Sequence, residues 1–433
     1  MNNRINITKL RALALGGLLA LTFAHAHAAT ITASSCAQSA VQGAVNSAVD
    51  GDIVVVPSGS CTWTSPVQIS GKGIHLKGQA KGSVNITHSV GNANLISVST
   101  DSTHSVEISN LTLLPGSVSG GADYLSVSGS GRPALVHDNY FRNVGFTAGC
   151  IHWSAVGGVV WNNTFESLEA DGSSGGCFRL KSEGLANSWT TASTMGTADG
   201  SGTANVYIEG NSFKKILLQS IDVDDNMRAV IRYNTFDNSG FVYHGADTSA
   251  SGVRHVEVYN NKFLFTTSGS GYNFPLNVNW WLFMRGGTGV WADNDVPAIS
   301  SQMWGTKPVV NMTVQNVRRS AGPYPCWSTY PAPHQVGQSH NGSSAVTDPF
   351  YIWGNTGSGS QSPSISDYDQ DTCGTGATSA GFIRSGRDYV IGSAKPGYTK
   401  YVYPHPLTAG AGGGGGAPVA PVALTAPTGL RVQ

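Results

Sequence analysis

An Asn-x-Phe triplet recurs along the chain, each time at the end of a short run rich in β-branched residues. The triplets begin at Asn139, Asn163, Asn211, Asn234 and Asn261, with weaker members at Asn110 and Asn294. Successive asparagines are 29, 24, 48, 23, 27 and 33 residues apart. A unit of this size cannot bury its apolar face alone and must stack on its neighbours. Gly, Asn, Asp and Ser break the runs, and no helical periodicity separates them, so the pattern predicts an all-β chain folded as a parallel β-helix.

The two fixed residues of the triplet have different predicted roles. Asn fits a sharp turn, where its side chain can bond backbone groups and the left-handed conformation is tolerated. The Phe two places later would stack inside the coil on the Phe of the next turn. A solenoid of this kind can absorb most of the 433 residues as one domain.

The N-terminus has the pattern of a secretory signal peptide over residues 1–28. Arg4, Lys9 and Arg11 supply positive charge, residues 12–23 form a short apolar segment, and Ala26-His27-Ala28 is a small-residue cleavage site. The apolar segment is too short for a membrane anchor, and no other segment reaches 18 apolar residues. The pattern predicts a secreted protein, extracellular or periplasmic, that has no membrane partner.

Charged residues are scarce, at 12% of the chain, and the formal net charge is zero. This balance gives no bulk electrostatic attraction to nucleic acid, so no nucleic-acid partner is expected. The places where charges do cluster therefore carry more information than in an average protein.

Six cysteines in an exported chain favour disulfides over free buried thiols. Cys150-Ile151-His152 and Cys177-Phe178-Arg179 occupy equivalent places in consecutive units, and stacked turns lie about 4.8 Å apart, which is within disulfide reach. We therefore predict a Cys150–Cys177 bridge. The remaining cysteines would pair as Cys36–Cys61 near the N-terminal cap and Cys326–Cys373 in the C-terminal region.

The chain divides into a β-helix domain over residues 29–407 and a linker over 408–433. Residues 40–49 have helical spacing and would cap the first turn, which otherwise exposes an open apolar edge. Turns follow from about residue 67 to 296, with one more strand at 309–317. Residues 322–406 would form a loop-rich C-terminal cap. The Gly/Pro-rich linker ends in a segment like the first strand of a truncated fibronectin-type module, or in a disordered tail.

Several of these segments resemble the secreted bacterial right-handed parallel β-helix proteins of the pectate-lyase-like superfamily. The likeness lies in AVQGAVNSAVDGDIVVVPSGSCTW near the start, in the segment from MGTADGSGTANVYIEGNSF to RHVEVYNNKF, and in GRDYVIGSAKPGYTKYVYPHPL near the end. The resemblance, to a subfamily that is mostly uncharacterised, implies a right-handed β-helix. The superfamily hosts lyases, hydrolases, epimerases and adhesins, so the fold alone does not assign an activity.

A column of ionisable residues emerges when the second strand of each turn is aligned by its apolar flanks. Alternate residues of a strand face opposite sides, so these residues would share one outward face. The column contains His152, Arg179, Asp222, His244 and Arg285, with Lys181 and Asp224 at neighbouring positions of the same face. The alternative is an ordinary outward face with paired charges, in which Asp222, Asp224 and Asp225 only begin a turn.

A long excursion follows the Arg179 strand, between residues 183 and 204, and could form the wall of a groove. Extended grooves suit polymers, and aromatic walls suit sugar rings. The candidate aromatic residues are Trp153, Trp189, Trp280 and Trp281. We assign His152, Trp153, Trp189 and Asp247 to the binding of a polysaccharide substrate.

The leading hypothesis for this face is a polysaccharide lyase that cleaves a uronic-acid polymer by β-elimination. That reaction needs a cation for the substrate carboxylate, a base for the adjacent proton and an acid for the leaving oxygen. Arg179, Lys181 and Arg285 could supply the cation, or Ca²⁺ could do so if Asp222, Asp224 and Asp225 held it. His244 is the natural base at neutral pH. The resemblance implies an Arg or Lys base, which adds Arg228 and Lys181 as candidates.

Two alternatives remain open on the sequence. A glycoside hydrolase of the same fold would need two carboxyl groups on the groove, for which Asp222 could combine with Asp224 or Asp247. A non-catalytic carbohydrate-binding or adhesive surface protein would also suit zero net charge and a flexible tail. A β-helix enzyme can work as a single chain, so we expect a monomer.

Overall fold

A computed structural model describes residues 28–117, 122–143, 148–155, 157–167, 176–181, 189, 205–216, 219–247, 251–265, 280–301, 305–321, 324–359 and 361–410. Within these residues the chain winds into a right-handed parallel β-helix, and the predicted fold class is confirmed. Three long sheets of 12, 10 and 8 strands run along it, and each pairs strands from successive turns in parallel. The predicted signal peptide before residue 28 and the linker residues 411–433 lie outside the described residues.

The strands of each turn alternate between the three sheets. The 12-stranded sheet contains Thr30–Thr32, Ile53–Val56, His75–Gly78, Glu107–Ser109, Ala134–His137, Gly158–Trp161, Asn205–Glu209, Arg228–Arg232, His255–Tyr259, Thr288–Ala292, Phe350–Trp353 and Tyr389–Ile391. The 10-stranded sheet contains Val67–Ile69, Ile96–Ser99, Ala122–Ser128, Ala148–Trp153, Phe178–Leu180, Ile221–Val223, Phe241–Tyr243, Leu282–Met284, Val310–Met312 and Ser364–Ile365. The 8-stranded sheet contains Gly59–Trp63, Val84–His88, Thr112–Pro115, Tyr140–Asn143, Thr164–Ser167, Ser212–Lys214, Thr235–Asp237 and Lys262–Leu264. Two antiparallel pairs, Ile299–Ser301 with Gly305–Lys307 and Gln338–His340 with Ala345–Thr347, lie outside these sheets.

The repeated asparagines form a hydrogen-bonded ladder between the 12-stranded and 8-stranded sheets. The Oδ1 atom of Asn211 accepts the backbone N–H of Asn163 at 2.9 Å and the Nδ2 group of Asn163 at 3.0 Å. The same two contacts recur from Asn139 through to Asn294, which in turn donates to Asn355. Because all of these amides are buried or nearly so, they satisfy backbone groups that water cannot reach.

The turn at each step of the ladder differs from the prediction in one detail. The sequence predicts the left-handed conformation at the asparagine itself, but from Asn139 onward the positive φ falls on the residue before it. Asp138 has φ 57°, Asn162 has φ 52° and even Tyr233 has φ 54°. The chain therefore turns one residue earlier.

The phenylalanines of the repeat stack in a continuous file inside the coil, as predicted. The ring centroids of Phe141, Phe165, Phe213, Phe236 and Phe263 are separated in turn by 4.8, 4.7, 4.9 and 5.0 Å. These distances match the spacing of neighbouring strands, so each new turn places its ring directly on the last one.

The N-terminal end is closed by a helix, Gln38–Ser47, two residues earlier than the segment predicted as a cap. Val41, Ala44 and Val45 are buried and belong to the same apolar core as the first strands. All three predicted disulfides are present, at Cys36–Cys61, Cys150–Cys177 and Cys326–Cys373. The described residues contain no helix of sufficient length and apolarity to cross a membrane.

The C-terminal region is less irregular than the sequence suggests. We predict loops beyond residue 322, whereas Phe350–Trp353 and Tyr389–Ile391 extend the 12-stranded sheet and Ser364–Ile365 extends the 10-stranded sheet. These strands have two to four residues and lie among Pro- and Ser-rich segments, so they carry no clear alternation. The prediction that the repeat ends near residue 317 is therefore wrong for two of the three sheets.

The last described segment returns to the middle of the solenoid and packs on the outer face of the 12-stranded sheet. Arg232 donates to the carbonyls of Tyr401 and Val402 at 2.9 and 2.8 Å, and also pairs with Glu209 at 2.7 Å. The backbone N–H of His405 donates to the other oxygen of Glu209 at 2.9 Å. We call residues 398–407 the C-terminal strap. It covers the 12-stranded sheet here, so the charged face described below lies on another side of the coil.

The asparagine ladder predicts a large and specific stability effect. Replacing Asn211 by alanine removes its contacts to Asn163 and Asn234 and to the carbonyls of Val160 and Glu209. Each buried group left without a partner costs about 1–3 kcal/mol, so we expect Asn211→Ala to lower the free energy of unfolding by roughly 3 kcal/mol or more. Urea unfolding followed by circular dichroism measures this loss. Asn92→Ala, at an exposed position, is the control and should match the wild type. Equal stabilities for the two variants would contradict the role of the ladder.

Candidate functional site

The predicted charged residues lie on the outer face of the 10-stranded sheet. In the strand Phe178–Leu180 the two flanking side chains are fully buried in the coil, while Arg179 between them points outward and is partly exposed. Ile221 and Val223 flank Asp222 in the same way. The prediction that these residues share one outward face is confirmed, since alternation along each strand is preserved.

The residues form two neighbouring columns on this face. In the register of the sheet, His152 lies beside Arg179 and Arg179 beside Asp222, but the residue beside Asp222 is Val242. His244 lies two positions after Val242 and belongs to the second column. This column contains, in order, Lys181, Asp224, His244 and Arg285. The single column predicted from the sequence is therefore wrong by two residues after Asp222. Phe241 and Tyr243 both point inward, so apolar flanks alone allow either register.

Arg179 is held on the face by a buried carboxylate. Its Nη2 atom lies 2.6 Å from Oδ2 of Asp123, whose side chain is 2% exposed. Burial raises the pKa of Asp123, and the charges of Arg179 and His152 oppose that rise. Gly149 in the next strand leaves room for the carboxylate, because a Cβ there would lie 2.3 Å from Oδ1 of Asp123. The guanidinium therefore has a fixed anchor and a partly exposed outer edge.

Asp222 and His244 form an ion pair that bridges the two columns. Oδ1 of Asp222 lies 3.0 Å from Nε2 of His244. Burial disfavours the imidazolium, but the carboxylate of Asp222 outweighs it and raises the pKa of His244. Burial likewise opposes the charged form of Asp222, yet His244 and the nearby arginines lower the pKa of Asp222. The pair therefore favours the protonated form of the histidine and the ionised form of the aspartate.

A second charge pair lies beneath His244. Nη1 of Arg285 is 2.7 Å from Oδ2 of Asp247 and donates to Gln315 at 2.6 Å, while its Nη2 contacts the imidazole of His244. Burial raises the pKa of Asp247 despite the arginine. Gln315 is itself bonded to Asp369 at 2.6 Å. Arg285 and Asp247 thus fix the ring of His244 from below.

Exposure falls steadily from Arg179 to Asp247. The side chains of Arg179, Asp222, His244, Arg285 and Asp247 are 35%, 17%, 10%, 9% and 2% exposed. A ligand on the outer face can reach Arg179 and the edge of the Asp222–His244 pair. It cannot reach Asp247, so the predicted substrate contact of Asp247 is wrong, and Arg285 acts as a positioning group.

The aromatic residues assigned to the groove wall are mostly buried. Trp153 is fully buried at an inward position of its strand, and Trp281, just before the strand Leu282–Met284, is fully buried against Phe263. Trp189 is 6% exposed, stacks on His334 at a ring distance of 4.1 Å and donates to the carbonyl of Gly252. None of these three can stack on a sugar, and the predictions for them are wrong. Trp280 is partly exposed and packs against Phe283 at 4.4 Å.

Arg228, proposed as an alternative base, lies in a different sheet. It is the first residue of Arg228–Arg232 in the 12-stranded sheet, with 1% of its surface exposed. Burial lowers the pKa of Arg228 to about 10. The same burial keeps the guanidinium away from any substrate on the outer face of the 10-stranded sheet. The role of base on the outer face therefore cannot fall to Arg228. The rest of the excursion around Trp189, over residues 183–204, lies outside the described residues.

The three aspartates proposed as Ca²⁺ ligands do not converge. Asp222 pairs with His244, Asp224 accepts the backbone N–H of Asp225 at 2.7 Å, and Asp225 has φ 38° in a tight turn. In the part of the chain that the structure describes, the single group of three or more His, Cys, Asp or Glu side chains with ligand atoms within 4.8 Å lies elsewhere. The predicted ligand set is therefore wrong, since Asp222 and Asp224 lie beside His244 in different columns and the three carboxylates do not meet.

Sequence reasoning missed Asp123 and Gln315. Asp123 belongs to Ala122–Ser128, the strand beside that of His152. Extending the alignment by one turn reaches Ser126 beside His152, whereas Asp123 lies three positions earlier, opposite Gly149. Tyr124 and Leu125 between them both belong to the core, so strict alternation would not have revealed Asp123. Gln315 comes from a 3₁₀ helix, Gln315–Val317, that follows the strand Val310–Met312, and no repeat marks it.

The similarities of this chain to known proteins are weak. No protein-family model matches the sequence, and no curated protein matches it. Among solved structures, the chain is similar to the PL6 family alginate lyase AlyGC at 13% identity and a TM-score of 0.30, over 79% of this chain and 51% of that one. It is similar to a PL6 family polysaccharide lyase from Pseudopedobacter saltans at 13% identity and a TM-score of 0.39, over 78% and 79%. An alginate lyase from a Paenibacillus species has 13% identity and a TM-score of 0.29, over 78% and 97%.

The chain spans about half the length of the first of these structures, at 51%. With TM-scores this low, the fold rests on the sheets of this chain, and the site rests on its own geometry.

The Asp222–His244 pair predicts a defined pH dependence of stability. The raised pKa of His244 stabilises the fold at pH values below the unfolded histidine pKa of about 6.5. This contribution is lost as pH rises through the pKa of His244 in the folded state. The lowered pKa of Asp222 stabilises the fold at pH values above the unfolded aspartate pKa of about 3.9. This contribution is lost as pH falls through the pKa of the folded state. We expect the difference in Tm between the wild type and Asp222→Asn to be largest near pH 5–6 and to shrink at higher pH. Asp295→Asn, at an exposed position, is the control and should show no such trend. A difference independent of pH would contradict the pairing.

Proposed function

We propose that the protein is a secreted polysaccharide lyase that cleaves a uronic-acid-containing polymer by β-elimination on the outer face of the 10-stranded sheet. The observation that carries the proposal is a partly exposed, anchored arginine, Arg179, directly beside the Asp222–His244 pair. A cation and a histidine–carboxylate pair on one open face are what this elimination needs. The three disulfides agree with folding in an oxidising compartment.

The roles follow from exposure and charge. Arg179 binds and neutralises the uronate carboxylate, which makes the proton on the adjacent carbon more acidic. His244 in its neutral form takes that proton, and the electron pair of the broken C–H bond forms the new carbon–carbon double bond. The 4-linked oxygen leaves with its bonding electrons and takes a proton from Lys181, which is half-buried in the same column as His244. Asp222 and Arg285 orient the imidazole.

Ca²⁺ is not needed for this assignment, because Arg179 supplies the positive charge. The involvement of Ca²⁺ stays a prediction, with Asp222 and Asp224 as the two proposed ligands that lie beside His244. His152, which neighbours Arg179 in its column and is partly exposed, stays the predicted contact to a further sugar.

A glycoside hydrolase is the second candidate, on one specific observation. The pKa of Asp247 is raised and that of Asp222 is lowered, and two carboxyl groups with separated pKa values are typical of an acid and a base. Asp247, however, is nearly inaccessible and paired with Arg285. Elimination therefore fits the geometry better than hydrolysis.

Product analysis on a panel of uronic-acid polysaccharides tests the proposal. We expect new ultraviolet absorbance from the unsaturated sugar ends. His244→Gln and Arg179→Gln should each lower kcat/KM by about 100-fold or more, the scale of a lost acid–base or charge contribution. His104→Gln and Arg132→Gln, at sites away from this sheet, are the matched controls and should keep wild-type rates.

Two outcomes of the same assay would reject the lyase assignment. New reducing ends without ultraviolet absorbance would indicate hydrolysis. Binding without any product would indicate a carbohydrate-binding protein. His244 and Asp123, the partner of Arg179, are buried, so replacing His244 or Arg179 can disturb the fold. The circular dichroism spectrum of each variant must therefore match that of the wild type.

The pH profile separates the role of His244 as base from a role as acid. Because Asp222 raises the pKa of His244, neutral imidazole becomes abundant only at higher pH, and kcat/KM should rise through that pKa. In Asp222→Asn the pKa of His244 falls, so the rising limb should move to lower pH, with a lower maximum rate. A rate that falls with pH over this range would instead make the imidazolium the active form.

A further inference from the structure

Three side chains converge on the outer face of the 12-stranded sheet, away from the charged columns. His75, Glu107 and His137 come from three strands that are hydrogen-bonded neighbours, in three successive turns. Nε2 of His75 lies 3.2 Å from Oε1 of Glu107, and Nε2 of His137 lies 2.8 Å from the same oxygen. The ligand atoms of all three residues lie within 4.8 Å of one another.

We propose that His75, Glu107 and His137 bind a divalent metal ion of the Zn²⁺ type, which links three successive turns of the β-helix. Zn²⁺ held at 2.0–2.1 Å in a tetrahedral site separates its ligand atoms by about 3.3 Å. The distance between His75 and Glu107 already matches this value, and that between His137 and Glu107 is only slightly shorter. Two imidazole nitrogens and one carboxylate oxygen favour Zn²⁺ over Ca²⁺ or Mg²⁺, which prefer oxygen ligands alone.

His137 has the second partner that metal-binding histidines usually have. Its Nδ1 atom lies 2.8 Å from Oδ2 of Asp138, so both ring nitrogens face carboxylate oxygens. A neutral imidazole has one N–H and cannot donate to both, whereas a metal on Nε2 leaves Nδ1–H to donate to Asp138. Asp138 is fixed in turn by Lys81 at 2.8 Å. The ring of His137 also stacks on Trp161 at 4.2 Å.

Access and charge are both compatible with an ion. The side chains of His75 and His137 are 4% and 8% exposed, while Glu107 is 12% exposed and leaves a path for the ion and for a water ligand. Lys77, whose charge acts on His75, opposes a cation here. The carboxylates of Glu107 and Asp138 offset it. The competing arrangement without metal is a hydrogen-bonded one, in which His137 lies between these two carboxylates and Nε2 of His75 contacts Oγ of Ser109 at 2.8 Å.

Titration with Co²⁺ as the probe distinguishes the two arrangements. The purified full chain, without a polyhistidine tag, is stripped with EDTA, and Co²⁺ is added while visible absorption is recorded. We expect one equivalent to produce the intense bands of a four- or five-coordinate ion, Zn²⁺ to abolish them, and Zn²⁺ to raise the Tm. Glu107→Gln and His137→Gln should each weaken binding at least 100-fold, and Asp138→Asn should weaken it by about 10- to 100-fold.

His104→Gln is the matched control, because His104 pairs with one carboxylate, Asp50, and should keep full binding when replaced. Circular dichroism in EDTA establishes that each variant folds. The proposal is overturned if the wild type binds neither Co²⁺ nor Zn²⁺, a result that needs no variant. It is also overturned if Glu107→Gln, which preserves the shape of the side chain, keeps the absorption bands. The readout does not involve polysaccharide cleavage, so it is independent of the proposed function.

Discussion

The register between successive turns is the constraint on which the rest of this structure depends, and buried asparagine amides hold it. A backbone ladder alone fixes a parallel strand only loosely, because a slipped register makes equivalent hydrogen bonds. The side chain of Asn211 bonds the turn before it and the turn after it, so a slip would leave several buried polar groups unpaired. The phenylalanine file beside the ladder adds packing at the same spacing. Polar specificity and apolar burial therefore act on the same turns.

The sequence predicts the fold well because its repeat reports this constraint directly. The Asn-x-Phe spacing predicts the architecture, and equivalent cysteines predict the Cys150–Cys177 bridge. Side chains on a strand alternate between its two faces every two residues, and this alternation limits how precisely the sequence places a residue. A shift of two residues keeps every side chain on its own face, so His244 could be placed on the outer face but not in its column. Trp153 fails for the opposite reason, since it occupies an inward position of the strand that places His152 outward.

The candidate site shows why residue type alone could not assign roles there. Arg179 and Arg285 are both arginines of the same face, yet one is partly exposed and the other is locked between Asp247 and Gln315. Gln315 lies in a 3₁₀ helix after the strand Val310–Met312, where no repeat could reveal it. The charged side chains around Arg179 are paired with one another, and the open edge of Arg179 stands out only once these pairs are known.

The C-terminal strap has a consequence for the order in which the protein is made. Arg232 and Glu209 lie near the middle of the solenoid, but residues 169 to 196 positions later complete their hydrogen bonds. A chain emerging from the ribosome can stack its early turns one on another as they appear, because their contacts are between neighbours. The turns that contain Glu209 and Arg232 must wait with polar groups and apolar surface, including Tyr207, exposed until the strap arrives. This part of folding therefore waits until the strap has been synthesised, and deleting residues within the strap would keep the coil while leaving that surface open to aggregation.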